Sequence, residues 1–283
     1  MEIIIGKNAG FCHGVKRAIN KAVEESKKGK VCCLGEIVHN QNVINNLEKQ
    51  GIEFIDNIEK ANTTTIIRAH GEPKSVYRKA EEMGINILDL TCPSVRKIYD
   101  IVYNYSKEGY YVVIAGKEKH PEVIGIKSYI QSNYIIISNV EELCEKLPEI
   151  KKEKNVLLIS QTTYNTKLFN EIAELLSKNL NEDIKLVIKN TICLTAENRQ
   201  EETIQIAQRV DAMIIVGDKK SSNTTELFNI ASNYCENTQF VFNVEEVDLD
   251  KIKGKEKIGI MAGAATPKED ILKIKELLLK LDK

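Results

Sequence analysis

Asn86-Ile87-Leu88-Asp89-Leu90-Thr91-Cys92-Pro93-Ser94-Val95-Arg96-Lys97 is the stretch on which the fold of this chain turns. An apolar strand runs into a cysteine, a proline follows, and Val95, Ile98, Tyr99 and Val102 then recur at helical spacing. Cys92 therefore stands at a helix start with Pro93 in the first-turn position, where a missing N–H is harmless. A thiol there faces the positive end of the helix dipole, which favours thiolate. The arrangement occurs twice more. A strand over 2–6 leads to Cys12 and a helix with Val15, Ala18, Ile19, Ala22 and Val23 on one face, and a strand over 185–189 leads to Cys193 and a further helix.

Outward from these corners, short β-rich runs alternate with amphipathic segments, the pattern of α/β units with parallel strands. Strands are expected at 2–6, 31–34, 52–55, 63–68, 85–90, 110–115, 134–138, 155–160, 185–189, 212–217, 239–243 and 257–262. Stacking the chain on its three cysteines exposes a repeat. Strands end in Gly35-Glu36-Ile37-Val38-His39-Asn40, Gly116-Lys117-Glu118-Lys119-His120-Pro121-Glu122 and Gly217-Asp218-Lys219-Lys220-Ser221-Ser222-Asn223, so His39, His120 and Ser221 follow their cysteines by 27, 28 and 28 residues. The tripeptides Asn57-Ile58-Glu59, Asn139-Val140-Glu141 and Asn243-Val244-Glu245 come next, each followed by a strand that opens into a loop of small residues. Those loops are Arg68-Ala69-His70-Gly71, Ser160-Gln161-Thr162-Thr163 and Gly263-Ala264-Ala265-Thr266-Pro267.

Each unit needs a fourth strand, supplied by 85–90 and 185–189 in the first two, whereas the third ends in a helix over 267–281 and leaves a place for strand 2–6. The expected fold is α/β: three similar units, each with a mainly parallel sheet of about four strands, around a pseudo-threefold axis. The unit boundaries are 12–91, 92–192, and 193–283 with the N-terminal strand region 1–11. Ligands of open parallel sheets bind beyond the strand C-termini, so the six loops and three cysteines are expected to converge on one central site.

At 283 residues the chain suits two or three such units. Its 40 basic and 41 acidic residues are interspersed, giving no electrostatic reason to expect nucleic acid or an anionic membrane as partner. Met1-Glu2 leads directly into a strand and no apolar run approaches about 18 residues, so a cytoplasmic location is expected. The seven cysteines contain no C-x-x-C pair, which signals neither a disulfide framework nor a zinc ribbon. Cys32, Cys33, Cys144 and Cys235 read as small buried hydrophobes.

Three thiolates meeting at a point suggest soft-metal ligation with one position open. A four-iron cubane held by three cysteines leaves one iron free for substrate; a zinc ion with a Cys3His set drawing on His13, His39, His70 or His120, or cysteines that merely pack, are the competing readings. Ser221, Ser222 and Asn223 precede a helix through Leu227 and Ile230, where hydroxyls and free N–H groups suit a phosphate as well as a plain cap. With His39 and His70 they suggest a diphosphate pocket without a Walker-type loop. Glu122, two residues after His120, is a proton source if burial raises its pKa, and Thr162 and Thr163 are placed to hold either a substrate hydroxyl or Glu122 itself.

Phe11-Cys12-His13-Gly14-Val15, Glu36-Ile37-Val38-His39-Asn40, Arg68-Ala69-His70-Gly71, Thr91-Cys92-Pro93, His120-Pro121-Glu122, Ser160-Gln161-Thr162-Thr163, Thr191-Ile192-Cys193 with Asn198-Arg199-Gln200, and Ser221-Ser222-Asn223 stand in the order of a known family. Together they resemble the 4-hydroxy-3-methylbut-2-enyl diphosphate reductases, the IspH/LytB family, over essentially the whole chain. The resemblance implies a [4Fe-4S] cluster on Cys12, Cys92 and Cys193 whose unique iron takes the allylic oxygen, with two electrons and protons removing that hydroxyl as water. The products would be isopentenyl and dimethylallyl diphosphates, the last step of the deoxyxylulose phosphate (MEP) route to isoprenoids. It also implies that His39, His70, His120, Ser221, Ser222 and Asn223 hold the diphosphate, that Glu122 delivers protons, and that Thr162 orders the hydroxyl. Electrons would come from a carrier such as ferredoxin or flavodoxin.

One departure stands out. The family pattern Gly-Ala-Ser reads Gly263-Ala264-Ala265 here, so the serine's substrate contact does not transfer to Ala265, and Thr266, a backbone N–H or water is expected to take its place. The runner-up function is a non-enzymatic iron-sulfur redox sensor, which has no use for Glu122, Thr162 or the Ser-Ser-Asn helix start; a zinc-dependent hydrolase is third.

Overall fold

The computed structural model describes residues 1–281. β1 (Glu2–Ile5) opens the chain. A first repeat runs through α1 (His13–Ser26), β2 (Val31–Leu34), α2 (Gln41–Lys49), β3 (Ile52–Ile55), β4 (Thr64–Ile67), α3 (Lys74–Glu82) and β5 (Ile87–Asp89). A second runs through α4 (Pro93–Lys107), β6 (Tyr111–Ala115), α5 (Pro121–Lys127), β7 (Tyr134–Ile137), α6 (Val140–Ile150), β8 (Asn155–Ser160), α7 (Thr166–Asn179) and β9 (Lys185–Ile188). The third comprises α8 (Leu194–Ala207), β10 (Ala212–Val216), α9 (Ser222–Ser232), β11 (Thr238–Val241), β12 (Lys257–Ala262) and α10 (Lys268–Leu281).

The strands form three four-stranded sheets, β3-β2-β4-β5, β7-β6-β8-β9 and β11-β10-β12-β1, with every pair parallel. Each has the order second, first, third, fourth strand of its repeat. The vacant fourth place of the last sheet is filled by β1, whose Glu2 to Ile5 align with Lys257 to Ile260 of β12. By packing, the chain forms two compact units: Met1–Val23 with Val38–Gln50 and the chain from Leu194, which holds the sheet containing β1, and Glu24–Ile37 with Gly51–Cys193, which holds the other two.

Parallel sheets are covered on both faces, so their strands are apolar throughout rather than alternating. Residues of β2, β6 and β10 are buried without exception. In the first unit, Ala212, Ile214, Val216, Ile258, Ile260 and Ala262 pack with Ile271, Ile274 and Leu278 of α10, while Met213, Ile215 and Met261 pack with Ile206 of α8 and Leu227 and Ala231 of α9. In the second, Val112, Ile114, Leu157 and Ile159 lie against Val95, Ile98 and Val102 of α4 and Val123 and Ile126 of α5.

In all three sheets the order of connection reverses between the first and third strands, the switch point where open α/β sheets bind ligands. The six polar loops leave from those strands. The repeated tripeptide has a structural role: Asn57, Asn139 and Asn243 are N-caps, accepting from the amides of Glu59, Glu142 and Glu246. Cys32, Cys33 and Cys235 are buried as expected, but Cys144 is exposed. Leu143 and Ile150 fill the buried stripe of α6, and the next position after Leu143 turns about 100° away to solvent.

Candidate active site

The unit holding Cys92 and Cys193 carries a connected set of side chains. Each of the two cysteines directly precedes a helix, and Cys92 is the N-cap of α4 with Pro93 following. The amide of Cys92 donates to the carbonyl of Ala69 (2.9 Å) and that of Cys193 to the carbonyl of Thr162 (3.0 Å). His70 follows Ala69, and its ring meets the ring of His120 edge-on with centroids 5.7 Å apart. His120 is the N-cap of α5, its Nδ1 accepting from the amide of Glu122 at 3.2 Å.

Glu122 is 1% exposed, and both its oxygens are held by one residue. The amide of Thr162 donates to Oε1 (2.6 Å) and its hydroxyl to Oε2 (2.7 Å). These hydrogen bonds favour the carboxylate, yet burial outweighs them and pushes the pKa up to about 7 from 4.5. The group therefore exchanges its proton near neutrality, where a general acid works best. Thr163 Oγ1 accepts from Gln161 Nε2 (3.1 Å), and Gln161 Oε1 accepts from the amide of Lys117 (2.9 Å), so Thr163 braces the loop rather than contacting Glu122.

Tyr99 is a member of this set that its spacing marked only as a buried position on α4. Its hydroxyl donates to the carbonyl of His70 (3.2 Å), and its ring stacks on Tyr129 at 4.1 Å. The oxygen lies against Gly71 and Gly125, where a Cβ on either glycine would collide with it. Gly71 also has φ +73°, which glycine adopts without strain.

The other unit carries Cys12, His39, the Ser221 turn and Ala265. The amide of Cys12 donates to the carbonyl of Ala264 (3.1 Å), so all three cysteines make the same hydrogen bond to the loop after the third strand of a sheet. Its Sγ accepts from the amide of Val15 at 3.4 Å. Ser221 caps α9 by accepting from Thr224 N (3.3 Å), which uses a lone pair and leaves its hydroxyl hydrogen to donate elsewhere. Asn223 is buried, and its Nδ2 has no hydrogen-bond partner among the described residues. His39 lies half-buried just before Asn40, the N-cap of α2.

Thr266 does not stand in for the missing family serine. It is 1% exposed and its hydroxyl donates to the carbonyl of Val216 (3.0 Å), which commits its only hydrogen to the fold. Among the described residues, no group of three or more His, Cys, Asp or Glu side chains is gathered as a single metal ion requires.

The sequence profile of the LytB protein family matches residues 3–279. The chain belongs to the LytB family. A 4-hydroxy-3-methylbut-2-enyl diphosphate reductase of Caldanaerobacter subterraneus is 42% identical over 98% of both chains, and one of Aquifex aeolicus is 36% identical over 99% of this chain and 97% of its own. Among solved structures, the E-1-hydroxy-2-methyl-but-2-enyl-4-diphosphate reductase of Plasmodium falciparum superposes with a TM-score of 0.88 at 28% identity, covering 98% of this chain and 87% of that one. LytB membership thus spans all three sheets and every motif described above. Among the described residues no helix is long and apolar enough to cross a membrane.

Proposed function

We propose that this LytB chain is a 4-hydroxy-3-methylbut-2-enyl diphosphate reductase, the iron-sulfur oxidoreductase of the last MEP step. The observation that carries the reading is the buried Glu122 held by Thr162 beside the His70 and His120 rings, on the same hydrogen-bonded framework as Cys92 and Cys193. A redox sensor needs no buried acid that titrates near neutrality.

The donor set fits a [4Fe-4S] cluster: Cys12, Cys92 and Cys193 are half-buried cysteines, each directly before a helix and each fixed by the same amide hydrogen bond. When bound, such a cluster supplies one-electron chemistry and leaves one iron without a cysteine. The reaction is R–OH + 2 e⁻ + 2 H⁺ → R–H + H₂O, in which an allylic C–O bond breaks and a C–H bond forms. The electrons are external, from a small carrier of the ferredoxin or flavodoxin type.

When Glu122 is protonated the 2.7 Å link reverses, Oε2–H donating to Thr162 Oγ1, whose own hydroxyl hydrogen then passes to the departing oxygen. His39, His70, His120, Ser221, Ser222 and Asn223 bind the diphosphate, the buried Asn223 Nδ2 being a donor whose partner is a phosphate oxygen. Thr163 and Ala265 are further substrate positions, Ala265 with no side-chain group to hydrogen-bond. The repeat units are taken as 12–91, 92–192, and 193–283 with 1–11, and the protein works in the cytoplasm.

The test is anaerobic purification with iron and sulfide analysis and EPR, repeated with the allylic diphosphate. About four irons per chain and a spectrum that shifts with substrate are expected; a colourless zinc protein, or a cluster indifferent to the diphosphate, would overturn the reading.

A further inference from the structure

The three cysteine corners share one hydrogen bond but are reached differently. Cys92 follows the end of β5 by three residues, and its turn caps itself: Asp89 Oδ1 accepts from the amide (2.8 Å) and hydroxyl (2.5 Å) of Thr91. The turn before Cys193 does likewise, Asn190 Oδ1 accepting from the amide of Ile192 at 3.0 Å. Cys12 follows β1 by seven residues, a longer connection that turns at Gly10 with φ +98°. Two side chains one turn apart on α8 clamp it. Glu202 accepts from the amides of Lys7 (2.6 Å) and Asn8 (2.8 Å) and from Asn8 Nδ2 (2.9 Å). Arg199, 2% exposed, donates from Nε to the carbonyl of Asn8 (2.9 Å) and from Nη2 to the carbonyl of Gly10 (2.8 Å).

We propose that Glu202 and Arg199 are positioning residues for Cys12, holding the β1–α1 connection so that its thiol is presented for ligation. A carboxylate takes N–H groups and a guanidinium takes C=O groups of the same few residues, so donors and acceptors of the loop are both satisfied from one rigid helix. A buried arginine whose hydrogen bonds run to main-chain carbonyls is a framework device, not a substrate ligand. The helix that carries the clamp begins at Leu194, directly after Cys193 in the chain. The inference rests on Cys12 being a cluster ligand.

The test uses the full-length protein with and without its cluster, as wild type, Glu202→Gln and Arg199→Lys. Glu202→Gln keeps the volume but turns an amide toward the loop N–H groups; Arg199→Lys keeps the charge but reaches one carbonyl, not two. The readout is the iodoacetamide alkylation rate of each thiol, resolved by peptide mass spectrometry, with exposed Cys144 as reference. In cluster-free variants Cys12 is expected to react about tenfold faster while Cys92 and Cys193 keep their wild-type rates, the factor for one charged hydrogen bond. The cluster of the loaded variants is also expected to be lost faster to a chelator. Equal acceleration at all three thiols, or an unchanged Cys12, would overturn the proposal. If wild-type Cys12 reacts as fast with the cluster as without it, the ligand reading itself fails, whatever the variants do.

Discussion

The two units prepare for chemistry in opposite ways. Around Glu122, the protein has already spent its hydrogen bonds: both carboxylate oxygens are occupied by Thr162, His120 caps α5, and Tyr99 holds the His70 carbonyl. Around Asn223, a buried donor has no partner among the described residues, and Ser221 keeps its hydroxyl hydrogen while capping α9. A satisfied network fixes a proton at one atom, whereas an unsatisfied donor is an anion site paid for in stability. Changes at Glu122 and Thr162 should therefore act on kcat, and changes at Ser221 and Asn223 on KM.

The largest effect belongs to Glu122→Gln, which removes the proton but keeps the shape. A loss of about 10²–10⁴ in kcat with the cluster retained is expected, the range of a general acid; near-normal turnover would remove Glu122 from the mechanism. The same residue sets the pH profile: kcat should fall above about pH 7, where the carboxylic acid ionises. Stability has the matching sign. A carboxyl raised in the folded state carries no penalty below its unfolded pKa of about 4.5, gains one as pH climbs to about 7, and keeps it above. Glu122→Gln should thus melt higher than wild type at pH 8, by an amount on the order of 3 kcal/mol at most, and lose that advantage near pH 4.

Asn223→Ala sharpens the contrast from the other side. Losing a hydrogen bond to a charged oxygen should raise KM about tenfold or more with kcat little changed, while thermal unfolding shows equal or greater stability because an unpaired buried donor is gone. A fall in kcat at constant KM would erase the division between the two regions. Ala265→Ser should move KM the opposite way, lowering it by up to about tenfold, since Thr266 is committed to Val216 and does not supply the missing hydroxyl. The smallest change is Tyr99→Phe. It deletes one neutral hydrogen bond to the His70 carbonyl, about 1 kcal/mol, and a few-fold loss in turnover with an intact fold is expected by steady-state kinetics.

How much was legible in advance follows the same physics. Strands of doubly covered sheets are continuous apolar runs, so the strands could be located from one chain, and the cysteine offsets aligned them into repeats that β1 completes. The edge strand expected over 85–90 shortened to Ile87–Asp89: before it the Ile85 amide donates to the Ala80 carbonyl in the turn after α3, and after it the Thr91 amide turns back onto Asp89. Side-chain direction was less legible. Cys144 faces solvent because burial on α6 depends on phase, and Thr266 turns inward because a buried carbonyl lies within reach. Glu122 and Thr162 stood out by chemistry, but their pairing spans 40 residues. The Tyr99 hydroxyl fits only where Gly71 and Gly125 leave room, and Arg199 was visible as part of a motif without a partner to name.

The measurement that bears most directly on the whole account is anaerobic turnover of (E)-4-hydroxy-3-methylbut-2-enyl diphosphate by the cluster-loaded protein and a one-electron reductant, with products separated by mass spectrometry. Isopentenyl and dimethylallyl diphosphates, with the diphosphate intact and the hydroxyl lost, are predicted. Unchanged substrate from a protein shown to hold its cluster, or release of inorganic phosphate in place of reduction, would contradict it.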